Sequence, residues 1–261
     1  MRSLSIGSTG MLAQQLNVEV ISNNIANMTT TGFKRQRAEF QDLLYQNLRR
    51  SGSQSSDTGT VVPAGIQIGV GVRTAAVYRI FEQGNLEMTD NSLDLAINGR
   101  GFFQITLPDG STAYTRAGTF AVSSAGQIVT QDGYTLQPGI TIPQNATAIS
   151  INPTGEVSVK VPGSVTESVV GQINLAIFFN DAGLESQGDN LFLETAASGT
   201  PTTGTPGSQG FGGLRQGYLE TSNVNPVQEI TNLIKAQRAY EMNSRVISTS
   251  DEMMAQTSQL R

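Results

Sequence analysis

The sequence predicts an α+β fold in which a mostly-β central domain is flanked by long N- and C-terminal helices that pack together as a coiled-coil-like layer. Three observations predict it. From Leu4 an apolar residue recurs every seventh position (Leu4, Met11, Val18, Ile25). From Leu233 the same spacing returns (Leu233, Tyr240, Ile247, Met254), so both chain ends carry seams of the coiled-coil kind. The long middle is rich in Gly, Thr, Val and Gln and punctuated by turn signals at short intervals, the signature of β-structure.

The first helix is expected from Ser3 to Asn27, with Ile21 and Met28 joining its seam. It stops where Thr29, Thr30, Thr31 and Gly32 remove helix propensity and offer a left-handed exit. A second short helical or irregular stretch is expected over Gln36–Leu48, which carries Phe40, Leu43, Leu44 and Leu48. Arg49–Pro63 is polar and Gly/Ser-rich and reads as a linker or extended arm.

Alternation begins at Ile66, where Ile66, Ile68, Val70 and Val72 share one face. Further strand-like runs lie at Leu93–Ile97, Phe102–Leu107, Thr119–Val122, Ile149–Ile151, Val157–Val161, Ile173–Phe179 and Leu191–Leu193. Asp109-Gly110 and Asp132-Gly133 sit where hairpin turns need positive φ, with Tyr114 and Tyr134 following them as cross-strand packing residues. Gly118, Gly126 and Gly155 mark other reversals, and Ser198–Gly213 reads as a long exposed loop. Tyr218–Glu220 then leads to the last helix, which Asn225 caps, Pro226 opens and Gln228 supports from the third position. Ala239, Val246, Met253 and Leu260 run beside its seam. The expected divisions are a terminal helical assembly domain (1–44 plus 222–261), an arm (45–65) and a β-rich outer domain (66–221).

Composition excludes several functions. The chain has no Cys and no His, which removes thiol nucleophiles, imidazole bases and most zinc or haem sites. With 14% charged residues and a net charge of -5, it is no nucleic-acid binder. The N-terminus lacks the continuous apolar core of a cleavable secretion signal, and no run approaches the length of a membrane span. Asp90, Asp94, Asp109, Asp132, Asp181 and Asp189 could in principle supply a glycosidase pair or a Ca²⁺ site, yet several occupy turn positions that favour Asp for backbone reasons. No catalytic constellation, cofactor site or small-molecule substrate site is expected, and Lys34, Arg35 and Arg37 read as a solvated basic face.

Each seam could pack on the β-domain as an αβ layer or on a partner helix. Interleaved polar and small residues (Gln14, Gln15, Gln237, Asn243, Ser244, Ser250, Asp251) make the stripes narrow, which favours helix-helix contact. The three asparagines Asn23, Asn24 and Asn27 either cap and fray the helix end or hydrogen-bond across a contact to fix its register.

Two segments go beyond periodicity. ISNNIANMTTTGFKRQ (21–36) resembles the N-terminal signature of the axial proteins of the bacterial flagellum, the rod, hook and hook-associated proteins. SNVNPVQEITNLIKAQRAYEMNSRVISTSDEMM (222–254) is similar to the C-terminal signature, and residues 98–143 resemble the β-domain of rod and hook proteins. The family motif falls on Asn23, Asn24, Asn27, Gly32, Phe33, Gln237, Arg238 and Tyr240. The overall length favours the distal-rod branch, with hook and proximal rod as siblings and an extracellular β-rich carbohydrate-binding protein as the alternative of another class.

The resemblance implies a non-enzymatic subunit that polymerises into a rigid hollow shaft carrying torque from motor to hook. The terminal helices (Leu4, Met11, Val18, Ile21, Ile25, Leu233, Tyr240, Val246, Ile247, Met254) would form the inner layer and the β-domain would face outward. It further implies export through the flagellar secretion apparatus without a cleaved signal, to a periplasmic rod in the basal body. The implied partners are other copies, proximal rod proteins, hook protein and the surrounding periplasmic and outer-membrane rings. The stretch 45–63 is similar to a segment that braces neighbouring subunits, with Tyr45, Arg49, Arg50 and Pro63 as candidate contacts.

Overall fold

The computed structural model describes residues 2–52, 64–163 and 166–259, and these fall into two compact units. The first unit draws on residues 1–25, 36–78 and 225–261, the second on 26–35 and 79–224. Residues 66–78, expected with the β-domain, thus cluster with the helices, and residues 26–35 cluster with the β-rich unit. No helix among the described residues is long and apolar enough to cross a membrane.

The first unit contains α1 (Arg2–Ala26), β1 (Gln36–Asp42), β2 (Tyr45–Arg49), β3 (Ile66–Gly69), β4 (Val72–Arg79) and α2 (Pro226–Gln259). Both long helices form where the heptads predict them. At the start of α2, Asn225 Oδ1 accepts from the backbone N–H of Val227 (3.1 Å) and of Gln228 (3.3 Å), so the expected cap satisfies two of the helix's orphan donors.

The stretch at Gln36–Leu48, expected as helical or irregular, is instead two strands. Burial along β1 alternates, with Gln36, Ala38 and Phe40 half-buried and Arg37, Glu39 and Gln41 exposed. That period of two is the strand signal, which the leucine spacing alone conceals. β1 pairs with β4, and β2 pairs with β3 in an antiparallel ribbon that registers Tyr45 with Gly69 and Arg49 with Ile66 across a bulge. The single face expected from Ile66 to Val72 is interrupted at Gly71. Its φ of +135° is open to glycine, and Leu43 donates its N–H to the Gly71 carbonyl at 2.9 Å.

The second unit is built on β5 (Leu86–Met88), β6 (Leu95–Asn98), β7 (Phe102–Thr106), β8 (Thr112–Thr115), β9 (Ala121–Val122), β10 (Ile128–Val129), β11 (Thr135–Leu136), β12 (Ala148–Ile151), β13 (Glu156–Lys160), β14 (Ser168–Gln172), β15 (Leu175–Ile177), β16 (Glu185–Gly188), β17 (Leu191–Leu193), β18 (Thr202–Gly204), β19 (Gly213–Gln216) and β20 (Tyr218–Glu220). Among the described residues the largest sheet runs β16-β17-β8-β7-β11-β10-β9, with β15 pairing both β7 and β18. Among the described residues its neighbouring strands all pair antiparallel. The two Asp-Gly turns join β7 to β8 and β10 to β11, with Gly110 at φ +85° and Gly133 at +86°. Ser198–Gly213, expected as loop, includes β18, because Thr202 to Gly204 extend the ladder on β15.

Residues of these strands, with Ile173 between β14 and β15, build a core that includes Leu95, Phe103, Ile105, Ile128, Leu136, Val157 and Leu175. A second cluster stacks Phe81, Phe102, Tyr114, Phe178 and Phe192, with Tyr114 edge-on to Phe178 at 4.8 Å. Tyr114 thereby packs as the turn pattern predicts.

Candidate self-assembly site

The terminal helices carry the candidate site. They meet antiparallel. A Cβ added at Gly7 would lie 2.9 Å from Ile247 Cγ1, and one at Gly10 would lie 2.8 Å from Asn243 Nδ2. Further along, Asn24 Nδ2 donates to Glu229 Oε2 at 3.2 Å. As α1 advances from Gly7 to Asn24, its partners on α2 run back from Ile247 to Glu229. Glycine at these two points leaves room for the Ile247 and Asn243 side chains, which an added Cβ would crowd.

The expected seams are only partly what this contact covers. On α1, Ile21 is buried, whereas Leu4, Met11, Val18 and Ile25 are half-buried. On α2, Leu233, Ile247 and Met254 are half-buried, while Tyr240 and Val246 remain exposed at 43% and 47%. The more deeply covered row of α2 lies beside the apolar one. Glu229, Ala236 and Ser250 are buried and Asn243, midway between the last two, is half-buried, each seven residues from the next. A heptad search restricted to apolar residues misses this row; the same search run on small and polar residues finds it.

Val227, Ile230 and Ile234 are all exposed and lie on the side of α2 turned away from the Glu229–Ser250 row, at 75%, 49% and 46% exposure. Met242, Val246 and Met253 add exposed apolar surface along the flank. Val227, Ile230 and Ile234 form one group on the first turns, and the three others follow farther along the helix.

The asparagines divide. Asn24 is buried; its Oδ1 accepts from Gln36 N (2.8 Å) and its Nδ2 donates to Gln36 O (2.8 Å) as well as to Glu229. Every polar valence of its amide except one acceptor lone pair is used within the chain. Asn23 is exposed, and Asn27 accepts from Thr30 at the helix exit, through Oδ1 and through its carbonyl. Gln237 and Arg238 lie exposed on α2.

Of the arm, Tyr45, Arg49 and Arg50 are exposed, as are Leu44, Leu48 and Ile66 beside them. The Asp42 carboxylate beside the Tyr45 hydroxyl pushes its pKa up. Pro63, the remaining candidate contact, lies outside the described residues, as do 53–62.

The rest of the N-terminal motif belongs to the second unit. Gly32 takes φ +70° and donates its N–H to the Glu220 carbonyl at 2.8 Å, and Phe33 is buried next to it. Lys34 is not part of a solvated face. Its side chain is fully buried, with Nζ 2.6 Å from Glu220 Oε1 and 2.7 Å from the Glu82 carbonyl. Arg116 completes the cluster, with Nε 3.2 Å from Glu220 Oε2 and its other nitrogens donating to the carbonyls of Gly99 and Gly101. A buried carboxylate is what draws the lysine inward. Arg35 and Arg37 stay toward the surface, in looser pairs with Glu82 and Glu39.

The turn aspartates serve the fold. Asp94 accepts from Thr89 and Asn91, Asp109 from the N–H and hydroxyl of Ser111, and Asp181 pairs with Arg100. Asp189 opens a left-handed turn at φ +48°.

Three family models match the chain. Residues 4–34 match the flagella basal body rod protein model, 96–159 the flagellar hook protein FlgE/F/G D1 domain, and 215–260 the flagellar basal body rod FlgEFG protein C-terminal model. Over full length the chain is 64% identical to a flagellar basal-body rod protein FlgG of Caulobacter vibrioides, covering all of both chains. It is 54% identical to the protein of that name from Buchnera aphidicola of the pea aphid, over 99% of each chain. With the Bacillus subtilis protein the identity is 39%, over 100% of this chain and 99% of the other.

Proposed function

The chain belongs to the flagellar basal-body rod protein family, and on that premise we propose that it is the distal-rod subunit, which self-assembles into a rigid hollow shaft transmitting torque from motor to hook. Like its family it is a structural protein of the flagellar basal body and not an enzyme.

The observation that carries the assembly mechanism is the exposed apolar surface of α2, Val227, Ile230 and Ile234 on its outer side and Met242, Val246 and Met253 on its flank, on a chain whose β-unit has a core of its own. Helix pairs of this length draw their stability from packing, so a neighbour that buries the exposed side orders and fixes them. A heterologous contact that does not close on itself repeats along an axis and yields a helical tube. At roughly 25 cal/mol per Å² of apolar surface buried, modest contacts repeated over many neighbours add up to a stiff shaft.

In this reading residues 1–44 and 222–261 form a coiled-coil-like inner layer, 66–221 face outward, and 45–65 brace adjacent subunits. The exposed residues of the β2–β3 ribbon support the bracing role, since a two-stranded ribbon is marginal alone and gains from being covered. Copies of the chain, proximal rod proteins and hook protein would be its axial partners, and the periplasmic and outer-membrane rings would surround it. It would reach the periplasm through the flagellar export apparatus, without a cleaved signal. Electron microscopy of the slowly concentrated protein, beside a version lacking residues 227–261, tests the reading. Straight tubes from the full chain alone are expected; tubes from the truncated chain would sink it.

A further inference from the structure

We propose that Asn24 and Glu229 determine the register in which α1 and α2 pair, and that the apolar seams do not. The inference concerns pairing inside one chain and stands whether or not the chain polymerises.

The heptad repeat of the two helices is degenerate. Both helices repeat every seven residues, so sliding α2 along α1 by one heptad, about 10 Å at 1.5 Å per residue, again sets the same two rows face to face. In the observed frame Leu4, Met11, Val18 and Ile25 lie across from Ser250, Asn243, Ala236 and Glu229, and in a slipped frame they face the same row displaced by one place. Apolar burial is non-directional and discriminates weakly between such frames.

The buried polar contact is not degenerate. A slip of one heptad brings Asn24 opposite Ala236 in one direction or past the Pro226 start of α2 in the other, and Glu229 loses its amide partner. Glu229 is 5% exposed, so the lost bond is not replaced by water at no cost. Nor can Asn24 turn to follow. Its two hydrogen bonds with the backbone of Gln36 fix the amide plane and leave one Nδ2 proton aimed at a single place, which Glu229 Oε2 fills. The residue is thus a key held rigid by β1 and read by α2.

Packing at the far end acts in the same sense but more softly. Slipped frames set Gly7 against Tyr240 or Met254 in place of Ile247, and both are flexible or surface-reaching side chains that can move aside. The exacting element is therefore the hydrogen bond. A subunit with a slipped pair would present its outer α2 face displaced by about two turns.

The absence of cysteine from the chain makes the test clean. Paired substitutions Gly7→Cys with Ile247→Cys report the native frame, and Gly7→Cys with Tyr240→Cys or with Met254→Cys report the two slipped frames. Mild oxidation of the dilute full-length chain, read as intramolecular disulfide on a gel, should close only the 7/247 pair. On a background of Asn24→Leu with Glu229→Leu, closure of the slipped pairs should rise by about tenfold or more, the population change expected when an unpaired buried charge no longer penalises the slip. Closure of 7/247 alone on that background would overturn the proposal. Should that background lose the helix pair and close nothing, single variants decide. Glu229→Gln keeps an acceptor in place and should retain the native frame, whereas Glu229→Leu should admit slipped ones; identical behaviour of the two would equally overturn it.

Discussion

Lys34 and Glu220 form a fully buried ion pair, Nζ to Oε1 at 2.6 Å, between two segments 186 residues apart in sequence. Arg116 sits on the other carboxylate oxygen, so two cations share one anion in the interior of the β-unit. Glu220 Oε2 accepts no aligned hydrogen bond despite Arg116 Nε at 3.2 Å, which makes the charges the main source of cohesion there.

Glu220→Gln should therefore be among the most damaging substitutions in the chain, since it leaves two buried cations without a counter-charge. A loss of about 3–5 kcal/mol is expected from urea unfolding. Lys34→Met should cost less, because Arg116 still compensates the carboxylate. Combined, the two changes should destabilise by clearly less than the sum of the singles, and strict additivity in that cycle would show the pair to be uncoupled.

Burial, reinforced by the Arg116 charge, holds the Lys34 pKa below the free-lysine value of 10.5 despite the opposing pull of Glu220. Between the folded value and 10.5 the unfolded chain binds more protons than the folded one, so stability from this group rises with pH. That contribution is complete above 10.5 and is lost as pH falls through the folded value. Wild type should accordingly gain on Lys34→Met as pH climbs from neutrality into this window. A stability difference that stays flat, or moves the other way, would contradict the assignment.

Gly32→Ala tests the turn that ends α1. The new Cβ would lie 2.7 Å from the Ala117 nitrogen at a φ of +70°, so conformational strain and a backbone clash combine, at about 2 kcal/mol or more. Gly133→Ala, at φ +86° with open space around it, should show the conformational cost alone. Thermal melts of the two variants should differ in that order.

Ile234→Asp should leave the chain within about 0.5 kcal/mol of its normal stability, because the side chain is 46% exposed and makes no core contact. It should nonetheless prevent tube formation. Tubes of normal yield from this variant would remove the outer side of α2 from the assembly surface.

Deleting residues 51–60 should preserve the melting of the β-unit, none of whose segments includes them, while making the tubes more compliant. Bending stiffness equal to that of the intact chain would end the bracing role of the arm.

Both helices, the Asn225 cap and the two Asp-Gly hairpins were legible in the sequence because each depends on neighbours a few residues away. β1 was not, since Phe40, Leu43, Leu44 and Leu48 happen to be spaced as a helix while burial follows a period of two. The buried row of α2 escaped for a related reason: Glu229 and Ser250 are buried through partners and close approach, not through their own apolarity. Lys34 is the clearest limit of local reading. Its surroundings are set by Glu220 and Arg116, and nothing in the run Lys34-Arg35-Gln36-Arg37 separates the buried cation from the exposed ones.

The division of the chain has a temporal side. All residues of the β-unit precede Asn225, whereas the first unit closes only when Glu229, 205 positions after Asn24, becomes available. A polypeptide emerging N-terminus first can thus complete its sheets while α1 still lacks its mate, and the latest-arriving segment is the one that finishes the other unit. During that interval the α1 seam stands open. The arrival of α2 is what covers it.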